Sequence, residues 1–416
     1  MAKPKLALIP ATQGSKLYSV LPADGVGDFT FSRGSAATRI NKDGLIETVA
    51  SGVSRLNYPL IDGVVNGCPS HLLEPTRSNL IPYSEDFSQT TWQKQSAGVA
   101  SAPIVTSNYA ISPDGTLNAD RVIFDINGGT TSSDFSQLTD PVSTNIGDVT
   151  SSIWIKSNTS SNYNMSFVDP TGNYVSIVVT TEWQRFYVTS TTVSSTSSIK
   201  LRLRGNESTS DYADMSLWGA QLEQGSYATS YIPTSGSSVT RVAETANGAG
   251  DASTFNDSEG VLMAEISALA DLDDTRYITL NAGTSDVNRL SIQYRNSGEL
   301  RLYNGGTSTA QMIHRDTSLD LAEKIKIAIK YGTTSSSYKV YINGFSKTIE
   351  SAFVATNMSG LDNLKFTDAN GSGSPFYGST KQLQYFDSAL NDSDLEKITS
   401  WTSFTDLANG QLYSIK

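Results

Sequence analysis

Hydrophobic and polar residues alternate with a period of two along most of the chain. Between residues 79 and 233, for example, Ile153 and Ile155 flank Trp154, and Leu201 and Leu203 are separated by a polar residue. Successive residues of a β-strand point to opposite faces of a sheet, so this spacing predicts short strands with one buried side. Polar turns separate the runs at intervals of about 8–12 residues, which is typical of an antiparallel sandwich or jelly roll.

The same period returns between residues 255 and 400. There Ile325, Ile327 and Ile329 share one side of a run whose other side carries lysines. The dipeptide at 343–344, Asn-Gly, follows another alternating run and is a strong signal for a β-hairpin. Residues 391–399 begin with acidic and capping side chains, which predicts one short helix. The fold is therefore predicted to be all-β, with two antiparallel β-sandwiches in succession.

Changes in this pattern predict the domain boundaries. The first 78 residues have weak periodicity and many turn residues, so they are predicted to form an irregular segment with short strands. Such a segment packs on neighbouring subunits or straps over the protein's own later domains, and the sequence leaves both alternatives open. The predicted division is an N-terminal docking or assembly segment at 1–78, a jelly roll at 79–234, a linker at 235–254, a second sandwich at 255–400 and a tail at 401–416.

Composition excludes several classes of partner. The 416 residues have a formal net charge of −11, so neither nucleic acid nor an anionic membrane is an expected partner. No apolar run approaches the roughly 18 residues that span a bilayer, so membrane insertion is not expected. Cys68 is the single cysteine, and the chain therefore forms no intrachain disulfide.

Three stretches resemble one family, the structural proteins of tailed-phage virions. They are residues 29–47 (FTFSRGSAATRINKDGLIE), 79–92 (NLIPYSEDFSQTTW) and 218–234 (WGAQLEQGSYATSYIPT). The first is similar to the N-terminal signature of that family. The other two are similar to the opening and closing strands of its carbohydrate-binding-module-like jelly roll. Concanavalin-A/laminin-G-like domains are similar to residues 326–331 (KIAIKY), 338–344 (YKVYING) and 384–395 (QYFDSALNDSDL).

This resemblance implies a virion component that is assembled in the host cytoplasm. It implies a tail fibre, head fibre or other surface projection with adhesin-like binding of a host-surface glycan. Other virion proteins of the capsid, tail or portal region are the implied partners, and a homo-oligomer, with a trimer as the expected form, is the implied state. The alternative is a purely architectural head-fibre, decoration or collar protein without receptor binding, and a glycan depolymerase is a more distant alternative.

Catalysis is not expected. The two histidines, His71 and His314, lack metal-ligand spacing to a partner. Cys68 is close to His71 in sequence, but no third group orients the pair as a nucleophilic site requires. The sequence also lacks the internal repeat of a parallel β-helix, the form that tail-spike depolymerases often take. We therefore expect a protein that is not an enzyme.

Strand parity predicts one glycan-binding site. Trp154 and Lys156 share one side of a strand, and Arg202 and Arg204 share one side of another. If both sides face the same concave sheet, an aromatic ring and three cations converge into a site suited to an anionic glycan. The alternative is that Trp154 belongs to the core and the arginines pair with carboxylates of a neighbouring subunit.

No cofactor is expected, and calcium is the one metal for which the sequence offers candidates. Asp368, or Asp392 with Asp394, could supply loop oxygens as they do in lectin-like sandwiches. The alternative is that Asp368 forms a turn and that Asp394 provides the favourable negative charge at a helix N-terminus.

Overall fold

Antiparallel β-strands dominate the regular secondary structure of the described residues, so the predicted all-β fold is confirmed. The computed structural model describes residues 3–13, 16–22, 24–61, 63–192, 195–269, 274–284, 287–305, 310–401 and 410. Most of the predicted tail, residues 401–416, therefore lies outside the described residues.

Short strands dominate the N-terminal segment. They are β1 (Leu6–Leu8), β2 (Ala11–Gln13), β3 (Lys16–Tyr18), β4 (Thr30–Ser32), β5 (Ala37–Ile40), β6 (Ile46–Val49), β7 (Arg55–Asn57), β8 (Leu60–Ile61), β9 (Val64–Val65), β10 (Ser70–Leu73) and β11 (Arg77–Asn79).

The jelly roll consists of two five-stranded sheets packed face to face. Its strands are β12 (Gln93–Ala97), β13 (Ser101–Ile111), β14 (Leu117–Asp125), β15 (Phe135–Ser143), β16 (Gly147–Ser157), β17 (Tyr163–Val168), β18 (Tyr174–Val179), β19 (Gln184–Thr192), β20 (Thr196–Arg204) and β21 (Tyr212–Gln224). One sheet has the order β12-β15-β20-β17-β18, and the other has the order β13-β14-β21-β16-β19. Alternate side chains of both sheets fill one core, which includes Phe167 and Leu217.

The remaining strands form a connector and a second sandwich. They are β22 (Val239–Arg241), β23 (Thr245–Asn247), β24 (Gly260–Ala268), β25 (Arg276–Asn281), β26 (Arg289–Tyr294), β27 (Leu300–Gly305), β28 (Ala310–Asp316), β29 (Ile325–Tyr331), β30 (Lys339–Ile342), β31 (Phe345–Lys347), β32 (Asn363–Lys365) and β33 (Gly378–Phe386). The sandwich pairs the sheet β28-β27-β26-β25-β32 with the sheet β31-β30-β29-β24-β33-β10-β7, to which β1 adds beside β33.

One helix, α1 (Asp392–Ser400), packs on the outer side of the larger sheet through Leu395 and Ile398. It begins where the sequence predicted it, because the Asn391 side chain accepts a hydrogen bond from the backbone N–H of Asp394 at 2.9 Å. No helix of the described ranges has the length and apolar character needed to cross a membrane.

The N-terminal segment completes the second sandwich. Strand β1 pairs with β33, with Leu6 opposite Tyr385, and β10 pairs with the same strand further along. Leu6 and Leu8 are fully buried in the core of that sandwich. In the described residues, β1 and β10 therefore pack on the protein's own second sandwich, and the docking or assembly role of residues 1–78 stays a prediction.

The predicted linker, residues 235–254, contains paired strands instead of a plain connector. Strand β22 pairs with β11, and β23 pairs with β4. These pairings join stretches that are far apart in sequence: the Ser78 and Thr240 hydroxyls, 162 residues apart, form a hydrogen bond of 2.6 Å. The Gly and Ser residues of this stretch indicate turns, because they favour turn conformations, but they do not indicate which distant strands will pair with it.

Five charged residues are buried where the N-terminal segment meets the end of the jelly roll. We call Arg33, Arg55, Glu74, Arg241 and Glu244 the seam network; none of these side chains is more than 3% exposed. Glu244 accepts from Arg33 at 2.7 Å and from Arg55 at 2.8 Å, and Glu74 lies 2.8 Å from both Arg55 and Arg241. Burial raises the pKa of Glu74, but Arg241 and Arg55 outweigh that effect and hold the pKa at about 2.

The three stretches that resemble the phage family meet around this network. The Thr38 hydroxyl of the first stretch donates to the backbone oxygen of Tyr231 in the third. The side-chain amide of Asn79 in the second stretch donates to the backbone oxygens of Ala220 at 3.0 Å and Ile232 at 2.9 Å. The first stretch is therefore held against the end of the jelly roll, and the second stretch is held against the third within the jelly roll.

A buried carboxyl in the jelly roll predicts a pH dependence of stability. Asp140 on β15 is 1% exposed, and burial raises its pKa to about 6. In the unfolded chain an aspartate has a pKa of ~3.9. At pH 7 the folded protein therefore contains a buried, charged Asp140, whereas at pH 5 the folded protein binds a proton there and the unfolded chain does not, which stabilises the folded state. We expect the free energy of unfolding, from urea titration, to be higher at pH 5 than at pH 7, by on the order of 1 kcal/mol for this group after solvent screening.

Asp140→Asn is expected to remove the contribution of Asp140 to the difference in the free energy of unfolding between pH 5 and pH 7. The buried Asp120, whose pKa burial also raises to about 6, is present in both proteins and so cancels in the comparison. A variant with the same pH dependence as the wild type would show that Asp140 does not contribute.

Candidate functional site

The four residues predicted to form a glycan site lie on opposite sheets of the jelly roll. Trp154 and Lys156 belong to β16, whereas Arg202 and Arg204 belong to β20, and these strands are in different sheets. The alternate residues of both strands enter one shared core: Ile153, Ile155, Leu201 and Leu203. The two polar sides therefore point away from each other, and the structure does not bring the four residues together. The alternation of residues shows on which side of its strand a residue lies, but it does not show to which sheet the strand belongs.

Trp154 contributes to packing on the outer side of its sheet. The Arg185 guanidinium lies 4.4 Å from the centre of the indole ring, and the Trp218 ring lies 5.5 Å away in an edge-on arrangement. Gly219, at φ +65°, leaves room for the indole, because a Cβ there would lie 2.9 Å from Cε3 of Trp154. Trp154 is thus partly buried, which agrees with the packing alternative for this residue.

Lys156 lies on the same side of β16, with its Nζ 5.3 Å from the centre of the Trp183 ring. This geometry is a cation–π contact at the protein surface. A glycan-binding role for Trp154 and Lys156 is not tested by these contacts and stays a prediction.

The outer side of β20 carries Lys200, Arg202 and Arg204, which we call the basic face. Arg202 donates to both oxygens of Glu207, with Nε at 3.0 Å, and Nη1 of Arg204 lies 3.5 Å from the same carboxylate. Nε of Arg204 donates to the backbone oxygen of Ser132 at 2.5 Å. One carboxylate therefore serves two arginines, and it belongs to the same chain, not to a neighbouring subunit.

Lys200 is the basic residue of this face that has no anionic partner in contact. Its cross-strand neighbours are Thr139 and Val168. None of the described residues gives the Lys200 ammonium a hydrogen bond or an ion pair. Burial lowers the pKa of Lys200, repulsion from Arg202 and Arg204 lowers it further, and attraction from Asp169, which is not in contact with the ammonium, offsets only part of this. An anion beside Lys200 would offset that repulsion.

Polar side chains around the basic face point away from the core but have little exposure. Gln137 is 7% exposed, Thr139 is 5% exposed and Ser166 is fully buried. The Ser166 hydroxyl donates to Glu207 at 2.7 Å, while the Thr139 hydroxyl has no hydrogen-bond partner among the described residues. The side chains around the basic face are therefore polar and mostly covered, and the buried Thr139 hydroxyl opposite Lys200 is without a partner in the described part of the chain.

An aromatic ring lies in the same row as Lys200. Tyr174 on the edge strand β18 is 46% exposed and lies opposite Val168, which in turn lies opposite Lys200. Two strand spacings separate Tyr174 from Lys200, a distance of about 10 Å. A cation, polar groups and an exposed ring at this separation can together contact a sugar chain.

The calcium candidates take part in local contacts. Asp368 accepts from the backbone N–H groups of Gly371 at 3.1 Å and Gly373 at 3.2 Å, as a turn-forming residue does. Asp394 accepts from the Asn391 side chain at 3.1 Å, and Asp392 is largely exposed. The described ranges contain no group of three or more His, Cys, Asp or Glu residues placed to hold a metal ion. Calcium binding by Asp368, Asp392 or Asp394 stays a prediction.

The histidine nearest to the cysteine in sequence is not placed for nucleophilic chemistry. His71 is fully buried between the rings of Phe31 and Phe366, at 6.0 and 5.9 Å. Burial, with repulsion from Arg55, lowers its pKa to about 3, so it is neutral at physiological pH. Cys68 is exposed.

Cavities lie near the seam network on the other sheet of the jelly roll. A cavity of 250 Å³, which we call the seam cavity, is lined by residues of the N-terminal segment, the jelly roll and the second sandwich, Trp154 among them. A wider cavity of 470 Å³ lies beside Arg77, Thr144 and Gln224, where the Arg77 guanidinium is 5.2 Å from the Tyr227 ring.

Comparison with known proteins finds no matching family model and no matching curated protein. Among solved structures, the chain is similar to the CBM40 domain of the Ruminococcus gnavus IT-sialidase, at 15% identity over 37% of this chain and 94% of that one, with a TM-score of 0.30. The leech intramolecular trans-sialidase matches at 17% identity over 36% of this chain and 24% of that one, with a TM-score of 0.29.

A mutant of the Trypanosoma rangeli sialidase that displays trans-sialidase activity matches at 13% identity over 41% of this chain and 27% of that one, with a TM-score of 0.30. Similarities this low carry no argument about ligand or activity. The all-β architecture is established by the strand pairings themselves.

Proposed function

We propose that this chain is a non-enzymatic structural protein of a tailed-phage virion, and that its jelly roll binds an acidic glycan of the host surface. The observation that carries the binding proposal is the half-buried Lys200, which lies at one end of the row it forms with Arg202 and Arg204 and has no carboxylate of the described residues in contact, whereas Glu207 pairs with both arginines. In a chain of net charge −11, a partly buried basic face is a local exception that favours an anionic ligand.

The virion part of the proposal rests on the three stretches that resemble the phage family. The same resemblance supports three further proposals. The partners are other virion proteins, the chain forms a homotrimer, and the virion is assembled in the host cytoplasm. The fibre or surface-projection role follows from the combination of a glycan-binding face with a particle-bound chain.

A purely architectural role is the second candidate, and exposed apolar residues favour it. The hairpin of β8 and β9 presents Ile61 at 57% and Val64 at 68% exposure. Apolar side chains on a protruding hairpin suit contact with another protein more than contact with a glycan. A fibre that packs with its own copies and binds no receptor would use such a surface.

Lys200→Gln is expected to weaken binding of an acidic polysaccharide by about tenfold or more, since a charge-assisted hydrogen bond contributes roughly 1.5–3 kcal/mol. The measurement is surface plasmon resonance on immobilised polygalacturonate, with dextran as the neutral probe. Binding is expected to weaken as salt increases.

Lys156→Gln is the matched control, because it removes the same charge from the opposite sheet. Loss of binding in Lys156→Gln with full binding in Lys200→Gln would move the site to the other sheet. Absence of binding to host cells and to all acidic glycans would favour the architectural role. Release of reducing ends from host polysaccharide would contradict the non-enzymatic proposal.

A further inference from the structure

The seam cavity has a lining suited to a small acidic molecule. Its walls come from three parts of the chain, including Thr38, Arg39 and Asn57 of the N-terminal segment, Trp154 and Arg185 of the jelly roll, and Ser379 of the second sandwich. Hydroxyl and amide groups therefore face the same space as an indole ring and two guanidinium groups. Polar groups converging on a partly aromatic pocket are the usual composition of a small-molecule site.

Arg185 is the cation in this lining that lacks a carboxylate partner. Its Nη1 donates to the backbone oxygen of Thr229 at 2.7 Å and its Nη2 donates to the Ser152 hydroxyl at 2.9 Å, so both acceptors are neutral. Its Nε is buried without a hydrogen-bond partner. No carboxylate of the described residues forms an ion pair with Arg185.

The other charged groups of the lining are already neutralised. Arg39 pairs with Glu47 at 2.6 Å. Glu74 lies 2.8 Å from both Arg55 and Arg241. The uncompensated charge of the cavity is therefore that of Arg185.

The surroundings of the cavity also carry more buried positive than negative charge. The seam network contains three arginines against two glutamates, and all five side chains are within 3% of complete burial. Glu223 and Glu74 attract Arg185 at longer range, but Glu223 also lies 3.9 Å from Nε of Arg77, and Glu74 pairs with two arginines of the seam network. An anion in the cavity would balance an excess that the protein leaves uncompensated.

We infer that the seam cavity is a second binding site, which takes a single carboxylate-bearing sugar unit, with the carboxylate on Arg185 and the ring hydroxyls near Asn57 and Ser379. The volume of 250 Å³ is below the roughly 300–1,000 Å³ of pockets for drug-sized ligands, which limits the occupant to one sugar unit. Arg is suited to this task because its planar fork matches a carboxylate. The site is independent of the basic face, which belongs to the opposite sheet of the jelly roll.

Binding at this site is expected to stabilise the assembled chain, because the walls come from three parts that must be together to form the cavity. The experiment measures the thermal unfolding midpoint and the binding isotherm of the full chain with galacturonate and with galactose. Galacturonate is expected to raise the midpoint in a concentration-dependent manner, whereas galactose, which lacks the carboxylate, is expected to have at least tenfold weaker affinity.

Two variants locate the site. Arg185→Gln removes the charge, and Ala228→Phe fills the lined space with every charge left in place; both are expected to abolish the shift with galacturonate. Lys200→Gln, which changes the basic face on the opposite sheet, is the matched control and is expected to keep the full shift with galacturonate. The experiment therefore tests binding in the seam cavity separately from binding at the basic face. A shift that Ala228→Phe preserves, or no shift in the wild type, would overturn the inference. An equal shift with free glutamate would overturn the assignment to a sugar and indicate a protein carboxylate as the occupant.

Discussion

Replacing Glu244 with glutamine is expected to lower the free energy of unfolding by about 3–5 kcal/mol, the loss that follows when one partner of a buried ion pair is removed. Glu244 accepts from Arg33, from Arg55 and from the backbone N–H of Glu74, the last at 2.9 Å. Glutamine has nearly the same shape but carries no charge, and its amide nitrogen would face donors. Two buried guanidinium groups would lose their shared counter-charge.

The measurement is urea unfolding followed by tryptophan fluorescence, with Asp43→Asn as the control. Asp43 pairs with Lys42 at 3.0 Å, but their side chains are 60% and 74% exposed. An exposed pair contributes roughly 0–1 kcal/mol, so this control is expected to unfold almost as the wild type does. If Glu244→Gln and Asp43→Asn behaved alike, the seam network would have no special role in stability.

The strands and turns of the two sandwiches could be predicted because their signals are local. Asn343 and Gly344 adopt φ values of +50° and +85°, as the predicted hairpin turn requires, and they join β30 to β31. The alternation around Ile153 and Leu201 likewise placed both residues correctly on the buried side. Local spacing is sufficient where the neighbours of a residue in sequence determine its conformation.

The candidate site could be predicted only in part, because it depends on which strands become neighbours. Arg202 and Arg204 do belong to a basic face, and Lys200 lies in the same alternating run. Glu207 follows in a turn, and Tyr174 reaches the row of Lys200 only through the pairing of β18 with β17. Nothing in the sequence shows that Trp154 would be on the opposite sheet.

The N-terminal strands show the same limit more strongly. Short strands were predicted in this segment, as at Leu6–Leu8, but a strand of three residues gives no signal for its partner, which is distant in the chain. The buried pairs of the seam network were not predicted either, since Arg33 and Glu244 are 211 residues apart. The contacts that join residues 29–47, 79–92 and 218–234 are therefore long-range contacts that one sequence does not reveal.

Leu6→Ala is expected to destabilise the chain by about 2–5 kcal/mol, although Leu6 lies in the segment predicted to dock onto other virion proteins. Leu6 is fully buried, and it lies opposite Tyr385 in the sheet of the second sandwich. Truncation leaves a cavity that the surrounding sheet cannot fill. Val64→Ala, at a residue 68% exposed in the same segment, is the control and is expected to change the free energy of unfolding by less than about 0.5 kcal/mol.

The two outcomes of this experiment separate an integral strand from a docking arm. If β1 belongs to the sandwich of the free chain, Leu6→Ala lowers the urea midpoint and speeds hydrogen exchange in β33, the strand with which β1 pairs. If the segment is released to reach a neighbouring protein, the same substitution leaves both quantities unchanged in the isolated chain and weakens assembly instead. A virion role remains compatible with the first outcome, because the exposed hairpin of Ile61 and Val64 would still be available to a partner while β1 stays in the sheet.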